Sequence, residues 1–374
     1  MQKKISVAVF ALIVLAVPLI SFASPYRTFS DQENRVLASF PVFNLQEVTS
    51  KRFMSGFGDF VSDHIFARDN WMAMKAFFTT LTGARDNKGV YLGKDCLIEN
   101  IAEPNPSVYK PNVEAISAFA KQTGKPVYLL LAPTAAEIER SRLPAFATTW
   151  DQNAFIGEVG HMLQGAQLID TVDVLRAHAD EYIYYRTDHH WTSLGAYYAY
   201  TQAAHSLGFK PLALSDYSVE HAGQDFDGTL YSKSGYRSIT PDVIDFYHPA
   251  AGDGTVRLVI GSGAGAVTSD SIYFRNWLSA KDKYSAFFDG NQPLETIRTG
   301  ATGGKKLLVI KDSYAHSLVP FLMSHYSEIT MLDLRYLTDS VQHTVKLNEY
   351  DQVLFVYNID TFNTDTSIQN VNLQ

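Results

Sequence analysis

Three uninterrupted apolar runs constrain this chain most: "PVYLLLAP" at 126–133, "KKLLVIKDS" at 305–313 and "QVLFVYN" at 352–358. An apolar run of strand length without polar alternation is a strand buried on both faces. Helical spacing fills the gaps between such runs. Val113, Ile116, Phe119 and Ala120 share one face of a helix expected over Pro111 to Gln122, with Gly124 as its stop. Asn153 to Leu163 is again helical, and the short strand "AQLIDT" follows. Leu194, Tyr197, Tyr198, Thr201 and Ala204 mark another helix, with Thr192 or Ser193 as N-cap and Gly208 as C-cap. Beyond Gly303 and Gly304 come a strand, the helix "AHSLVPFLMSH", the strand "EITMLDL", a helix over Asp339 to Leu347 and the last strand. Such alternation predicts an α/β fold with a mostly parallel sheet covered by helices on both faces. Residues 210–300 break the rhythm. They are rich in Gly, Asp, Ser and Tyr, with strand-like runs such as "TVRLVIG" and "YSAFFDG", and are expected to form a β-rich insertion.

The N-terminus differs from the rest. Lys3 and Lys4 precede an uncharged, mostly apolar run from Ile5 to Ala23, and Ser21-Phe22-Ala23 has small residues where a signal peptidase reads. Residues 1–25 are therefore a signal peptide or a membrane anchor. Either places the remainder outside the cytoplasm, because the lysines hold the N-terminus inside. Residues 26–100 form a lead-in with helices expected to pack on a catalytic domain of residues 101–374. Within it, "FSDQENRVLASFP" reads as extended, residues 56–82 as helix broken near Asp69, and "GVYLGKDCLIEN" as a hairpin turning at Gly93-Lys94-Asp95. The 374 residues are 46% hydrophobic, as in a globular protein, and carry a net charge of −8 without a Lys/Arg cluster, which argues against a nucleic-acid partner. The 21 Tyr and 23 Phe suit a large core and also the lining of a sugar cleft. Cys96 is the only cysteine, so no intrachain disulfide and no cysteine-based zinc site forms.

In a parallel α/β sheet, functional groups gather at the carboxyl ends of strands. Ser313 follows one buried strand and precedes a helix, which presents its hydroxyl at the sheet edge beside free N–H groups. A helix N-cap explains the same serine. A serine hydroxyl needs a base, most often a histidine oriented by a carboxylate. "TDHHW" supplies both. Residues two apart in an extended stretch share a face, so Asp188 and His190 point together and His189 points away. A helix-start turn with Asp188 as cap is the plain alternative. A metal is the other competitor, but His161, His178, His205 and Asp173 have no ligand spacing relative to the pair, and no metal or cofactor is expected.

"RTDHHWTSLGAYYAY" and "LLVIKDSYAHSLVPFL" together resemble the DHHW protein family, related to the alginate O-acetyltransferases (AlgX/AlgJ-like) of the bacterial cell envelope and to SGNH hydrolases. "ENRVLASFP", "NWMAMKAFF", "GVYLGKDCLIEN", "LLLAPTAAEIERSRLP", "DGTLYSKSGY", "DGNQPL" and "LDLRY" extend the resemblance along most of the chain. The family usually has Gly at Cys96 and His at Gln292, so neither is expected to be catalytic. The resemblance implies an SGNH-hydrolase-like three-layer α/β/α sandwich. It assigns Asp188 as orienting acid, His190 as base and Ser313 as nucleophile. The oxyanion hole would use the N–H of Ser313 or its neighbour, with Gly290 and Asn291 of "DGNQP" as further donors, although a β-turn explains that pair equally well. Tyr314 would touch substrate; His189 and Trp191 would support the segment or line the cleft. The implied activity is transfer of acetyl groups to a cell-envelope or exported polysaccharide through an acetyl-serine, with a membrane-bound O-acyltransferase as acetyl supplier. A carbohydrate acetylesterase would use the same residues. A non-catalytic polysaccharide-binding envelope protein is the reading from another class.

Overall fold

The computed structural model describes residues 2–30, 35–250, 256–301 and 304–372. Residues 31–34 of the lead-in and Gly303 lie outside this set. The chain divides into two compact units, residues 1–88 with 231–238, and residues 89–230 with 239–374. The first is helical: α1 (Gln2–Ala23), α2 (Arg52–His64) and α3 (Arg68–Leu81). The break expected near Asp69 falls at residues 65–67, just before it. Ala67 there takes a left-handed φ of 57°, while Asp69 sits in the first turn of α3, where a carboxylate meets the positive end of the helix dipole.

The second unit opens with a hairpin, Val90–Leu92 against Leu97–Glu99, turned at 93–96 as the sequence predicts. Helix α4 (Pro106–Thr123) starts earlier than periodicity suggests. Asn105 caps it, Pro106 opens it, and Pro111 lies inside. An internal proline costs the hydrogen bond to the carbonyl four residues back; here that carbonyl belongs to exposed Ser107. Gly124 ends the helix at φ 61°. Then come β1 (Val127–Ala132), α5 (Gln152–Met162), β2 (Ala166–Ile169) and α6 (Ser193–Leu207). Thr192 is the cap of α6: its hydroxyl accepts the Gly195 N–H at 3.2 Å. A long hairpin, Tyr217–Phe226 against Asp242–Pro249, stands apart from the main sheet. The rest of 210–300 yields β3 (Arg257–Ile260), β4 (Val267–Ser269) and β5 (Leu294–Arg298), all in the central sheet. "YSAFF" is not a strand: Lys283–Ala286 forms one 3-10 turn, because Tyr284 and Phe287, three apart, both face the core. The chain ends with β6 (Lys306–Lys311), α7 (Ala315–Leu322), β7 (Glu328–Leu332) and β8 (Gln352–Asn358). The helix expected over 339–347 is only one turn, Val341–Thr344.

The central sheet has the order β4-β3-β5-β7-β6-β8-β1-β2. The five strands β7, β6, β8, β1 and β2 are mutually parallel, and the three at the other edge are antiparallel. Strand β8 shows why both faces are covered. Gln352 donates to the Leu207 carbonyl at the end of α6 (3.1 Å), whereas Phe355 packs edge-on against Phe119 of α4. An odd separation puts these two side chains on opposite faces. Helices α6 and α4 therefore lie on opposite sides of the sheet, with α7 packed on α6 through Tyr200 and Phe321. The result is an α/β/α sandwich.

The turn that leads into α6 depends on a close approach. A Cβ at Gly195 would stand 2.2 Å from the Ile183 carbonyl oxygen. Neither partner can yield, since one is backbone and the other is helix. Gly195→Ala is expected to lower the unfolding free energy by about 2 kcal/mol or more, read as a fall in the urea midpoint. An unchanged midpoint would mean that the two backbones do not meet.

Candidate active site

Residues 183–192 form a tight loop closed by backbone bonds. Tyr184 bridges Trp191, the Tyr185 N–H donates to the His190 carbonyl (3.2 Å), and the Thr192 N–H donates to the Ile183 carbonyl (2.9 Å). Inside it, the Asp188 carboxylate accepts the His190 N–H at 3.0 Å, an Asx turn. Asp188 and His190 thus share a side, as strand alternation suggests, but a turn rather than a strand brings them together. The same carboxylate oxygen lies 2.6 Å from His190 Nδ1. His190 Nε2 lies 2.7 Å from Ser313 Oγ, which joins residues 123 positions apart. Because a carboxylate only accepts, Nδ1 carries the proton, and Nε2 is left to accept from the serine hydroxyl.

The second Asp188 oxygen accepts the Thr229 N–H (2.8 Å) and the Thr229 hydroxyl (2.9 Å). The chain passes so close that a Cβ at Gly228 would stand 2.3 Å from Asp188 Cβ. Burial pushes the Asp188 carboxyl upward. The neighbouring histidines, with the bonds from His190 and Thr229, outweigh it and hold the group well below the usual carboxylate range. Burial takes His190 down to about 4, helped by the charge of His189 and opposed by Asp188. The imidazole is therefore neutral at pH 7.

Strand β6 delivers Ser313 to this pair. The buried Asp312 carboxylate accepts the Tyr314 N–H (2.9 Å) and, through its other oxygen, the Asn358 N–H (2.8 Å) and side-chain amide (2.7 Å). The neighbour's N–H is thereby occupied. Among the described residues none accepts the Ser313 N–H. Ser313 is also the one residue of 311–314 that is not fully buried. Its free N–H and its hydroxyl stand on the same partly exposed residue, an arrangement able to hold an oxyanion.

The other predicted residues fall into place around this core. Trp191 is fully buried and donates to the Tyr314 carbonyl (3.0 Å), so it pins the histidine loop to the serine turn. Tyr314 is 1% exposed and its hydroxyl donates to the His189 carbonyl. It is a strut between the two segments, a correction to the expected substrate contact. His189 is partly exposed, with Nδ1 2.8 Å from the Thr229 hydroxyl. Gly290 and Asn291 are not joined to the triad by any hydrogen bond among the described residues. The Gly290 N–H donates to the Phe287 carbonyl (3.2 Å) with φ at 79°, so the turn expected as the alternative is what forms, and Asn291 is exposed. Asp188, His189 and His190 bring donor atoms within 4.8 Å of one another. Within this cluster His190 Nδ1 faces Asp188 and Nε2 faces Ser313 Oγ. Cys96 is buried, which pushes its thiol up to about 12.

Four contributors escaped sequence reasoning. Tyr284 lies flat on His190 with ring centroids 3.9 Å apart, and its hydroxyl donates to the Ser313 carbonyl (3.1 Å). Thr229 and Asp312 hold the acid and the serine turn, as described. Arg335 is the fourth. Ile310 and Leu332 are register partners, so Ser313 and Arg335 each stand three residues beyond a paired position. Asp333 grips Arg335 with two bonds (2.9 and 2.6 Å), and the guanidinium's charge reaches both Asp312 and His190. "DGTL", "KDS" and "LDLRY" held Thr229, Asp312 and Arg335 within or beside recognised motifs, but none of them gave these residues a role.

Comparison with known proteins matches the fold and this region together. The model of the DHHW protein family matches residues 106–332, which include Asp188, His189, His190, Trp191 and Ser313. A DHHW family protein from Eubacterium siraeum DSM 15702 superposes with a TM-score of 0.67 at 26% identity, over 77% of this chain and 96% of that one. PatB1 of Bacillus cereus, solved with a sulfonyl adduct, has a TM-score of 0.63 at 22% identity, over 74% and 96%. The O-acetyltransferase domain of Pseudomonas putida AlgJ reaches 0.46 at 15% identity, over 74% and 93%. No curated protein matches the chain. The family model covers more than half of the sequence and spans every residue of the Asp188–His190–Ser313 chain, and the protein accordingly belongs to the DHHW family.

Proposed function

We propose that this protein is an extracytoplasmic O-acetyltransferase acting on a cell-envelope or exported polysaccharide. The observation that carries the proposal is the unbroken hydrogen-bonded chain from Asp188 through His190 to Ser313 Oγ, with the Ser313 N–H left free beside it. Ser313 Oγ attacks the acetyl carbonyl of the donor, and its proton passes to His190 Nε2. The carbonyl oxygen becomes an oxyanion facing the Ser313 N–H. As it collapses, the bond to the donor's leaving oxygen breaks and His190 returns the proton to that oxygen. The product is acetyl-Ser313. A sugar hydroxyl then repeats the sequence in reverse: it gives its proton to His190, takes the acetyl group and restores Ser313. Asp188 holds the imidazole in the Nδ1–H tautomer and stabilises the imidazolium in both halves.

Membership of the DHHW family supports acyl transfer as the reaction class. The apolar helix α1, long enough to cross a membrane, supports the location. A membrane-bound O-acyltransferase would supply the acetyl donor. Water in place of the sugar hydroxyl makes the same machinery an acetylesterase, and product analysis separates the two: acetylated oligosaccharide for transfer, free acetate alone for hydrolysis.

Ser313→Ala is expected to lower turnover of an acetyl ester by about 10³-fold or more. PatB1 carries a sulfonyl adduct, and a sulfonyl fluoride should add one sulfonyl group to the wild type here, mapped by mass to Ser313 and absent from the variant. Labelling elsewhere would remove Ser313 as nucleophile. The pH profile follows from His190. The base works only when neutral, and burial favours the neutral form, so activity should persist below pH 6 and fall as pH drops through about 4. A midpoint of kcat/KM at the ordinary histidine value, near 6.5, would contradict a buried base. Gly228→Ala tests the acid. The added methyl displaces Asp188 and should lower kcat by about 10²-fold with KM little changed, whereas a purely structural glycine would leave kcat intact in the folded fraction.

A further inference from the structure

Helix α3 is inside out for a protein in water. Trp71, Met74, Phe78 and Leu81 follow one another at intervals of three, four and three residues, which keeps them on one helix face, and Phe77 flanks them. All five are exposed, by 40% to 65%. The residue this helix buries is Ala76. Helix α2 adds exposed apolar residues of its own. Met54, Phe57 and Val61 stand three and four apart, and each is exposed, while Phe53 and Phe60 are half-buried against Phe40. In an ordinary amphipathic helix the large apolar side chains face the core. In α3 the buried residue is small.

The position of this surface relative to α1 identifies what covers it. Lys4–Ala23 gives a 20-residue apolar span with none of its window buried, which at 1.5 Å per residue matches the hydrocarbon thickness of a bilayer. Its last turn is tied to the start of α3. The Phe66 N–H donates to Ser21 Oγ at 2.8 Å. Just past the helix end, His64 Nε2 lies 2.9 Å from the Arg27 carbonyl, and the Tyr26 ring stacks on His64 with centroids 4.9 Å apart. The Trp71 indole donates to the Phe66 carbonyl at 3.0 Å. When α1 spans a bilayer, Ser21 lies at its outer boundary, and Phe66 and Trp71 lie at that same depth. This is where amphipathic aromatic side chains are most stable, and a helix lying in that plane buries its apolar face in the acyl boundary.

We infer that α1 is retained as a membrane anchor and that the exposed apolar faces of α2 and α3 rest in the outer boundary of the lipid bilayer. The surface takes phospholipid as its partner, and this inference stands apart from the catalytic reading. The test uses the full chain reconstituted in phosphatidylcholine vesicles whose acyl chains are brominated near the headgroup. Bromine quenches only nearby tryptophan. The emission attributable to Trp71, taken as the difference between wild type and Trp71→Phe, should be lost relative to unbrominated vesicles. Phe78→Trp in the Trp71→Phe background should restore a quenchable emission, which covers a poorly folded single variant. N-terminal sequencing of the membrane-extracted protein should find α1 intact. A chain beginning after Ala23, or a Trp71 untouched by bromine in vesicles, would overturn the inference, and the latter result would assign the apolar face to a membrane-protein partner instead.

Discussion

The candidate site hangs on the carboxylate of Asp312. It is buried, and three N–H bonds converge on it from the Ser313 turn and from Asn358. Those bonds tie together the carboxyl ends of two adjacent parallel strands, β6 and β8. Burial raises the Asp312 carboxyl, and the Arg335 charge and the N–H bonds oppose that rise. Because the Tyr314 N–H is spent on this clamp, the free N–H of the turn belongs to Ser313 alone. The hydroxyl at the end of the Asp188–His190–Ser313 chain and the free N–H beside it are thus placed by one clamp. Replacing the carboxylate would leave buried N–H groups without partners, which costs more than a missing neutral hydrogen bond.

Two adjacent histidines are given different chemistry by their surroundings. His190 is buried under the Tyr284 ring, and both of its nitrogens are engaged, one by Asp188 and the other by Ser313. His189 is partly open to solvent and turned to Thr229. The asymmetry does not come from the imidazoles themselves. It comes from an Asx turn that folds His190 back over Asp188 and from the Trp191 indole that fastens the loop to the Tyr314 carbonyl. Thr229 contributes twice, to the acid through both its polar groups and to His189 through its hydroxyl, and Gly228 permits that approach.

The strands and the members of the Asp188–His190–Ser313 hydrogen-bonded chain were legible because each rests on short-range information. A double-faced strand declares itself by an unbroken apolar run, and "TDHHW" and "KDSYA" declare themselves by residue type. Tyr284 was hidden because it belongs to a 3-10 turn whose spacing of three resembles neither helix nor strand over so short a stretch. Arg335 was hidden because its nearness to Ser313 is set by strand register between β6 and β7, which no local pattern carries. The same applies to the placing of β3 and β5. "TVRLVIG" declared β3 as a strand, but its pairing to β5, and the pairing of β5 to β7, which draw both into the central sheet, are carried by no local pattern. Gly290 and Asn291 show the reverse failure: a motif of the right residue types formed a plain turn, with the Gly290 N–H already occupied.

Periodicity also could not say which way α2 and α3 face. A repeat of apolar residues fixes that they share a side, and the solvent decides whether that side turns inward. In water, exposing a Phe or Leu side chain rather than burying it costs roughly 1.5–3 kcal/mol, so five such residues on α3 would form a severe liability. At the boundary of a bilayer the sign reverses, and the small residues become the proper inner face. The bond from Phe66 to Ser21 then matters beyond local geometry. It couples the depth of α3 to the depth of α1, so under the inferred anchoring one apolar span and one bond from a backbone N–H to a serine hydroxyl together set which residues meet lipid.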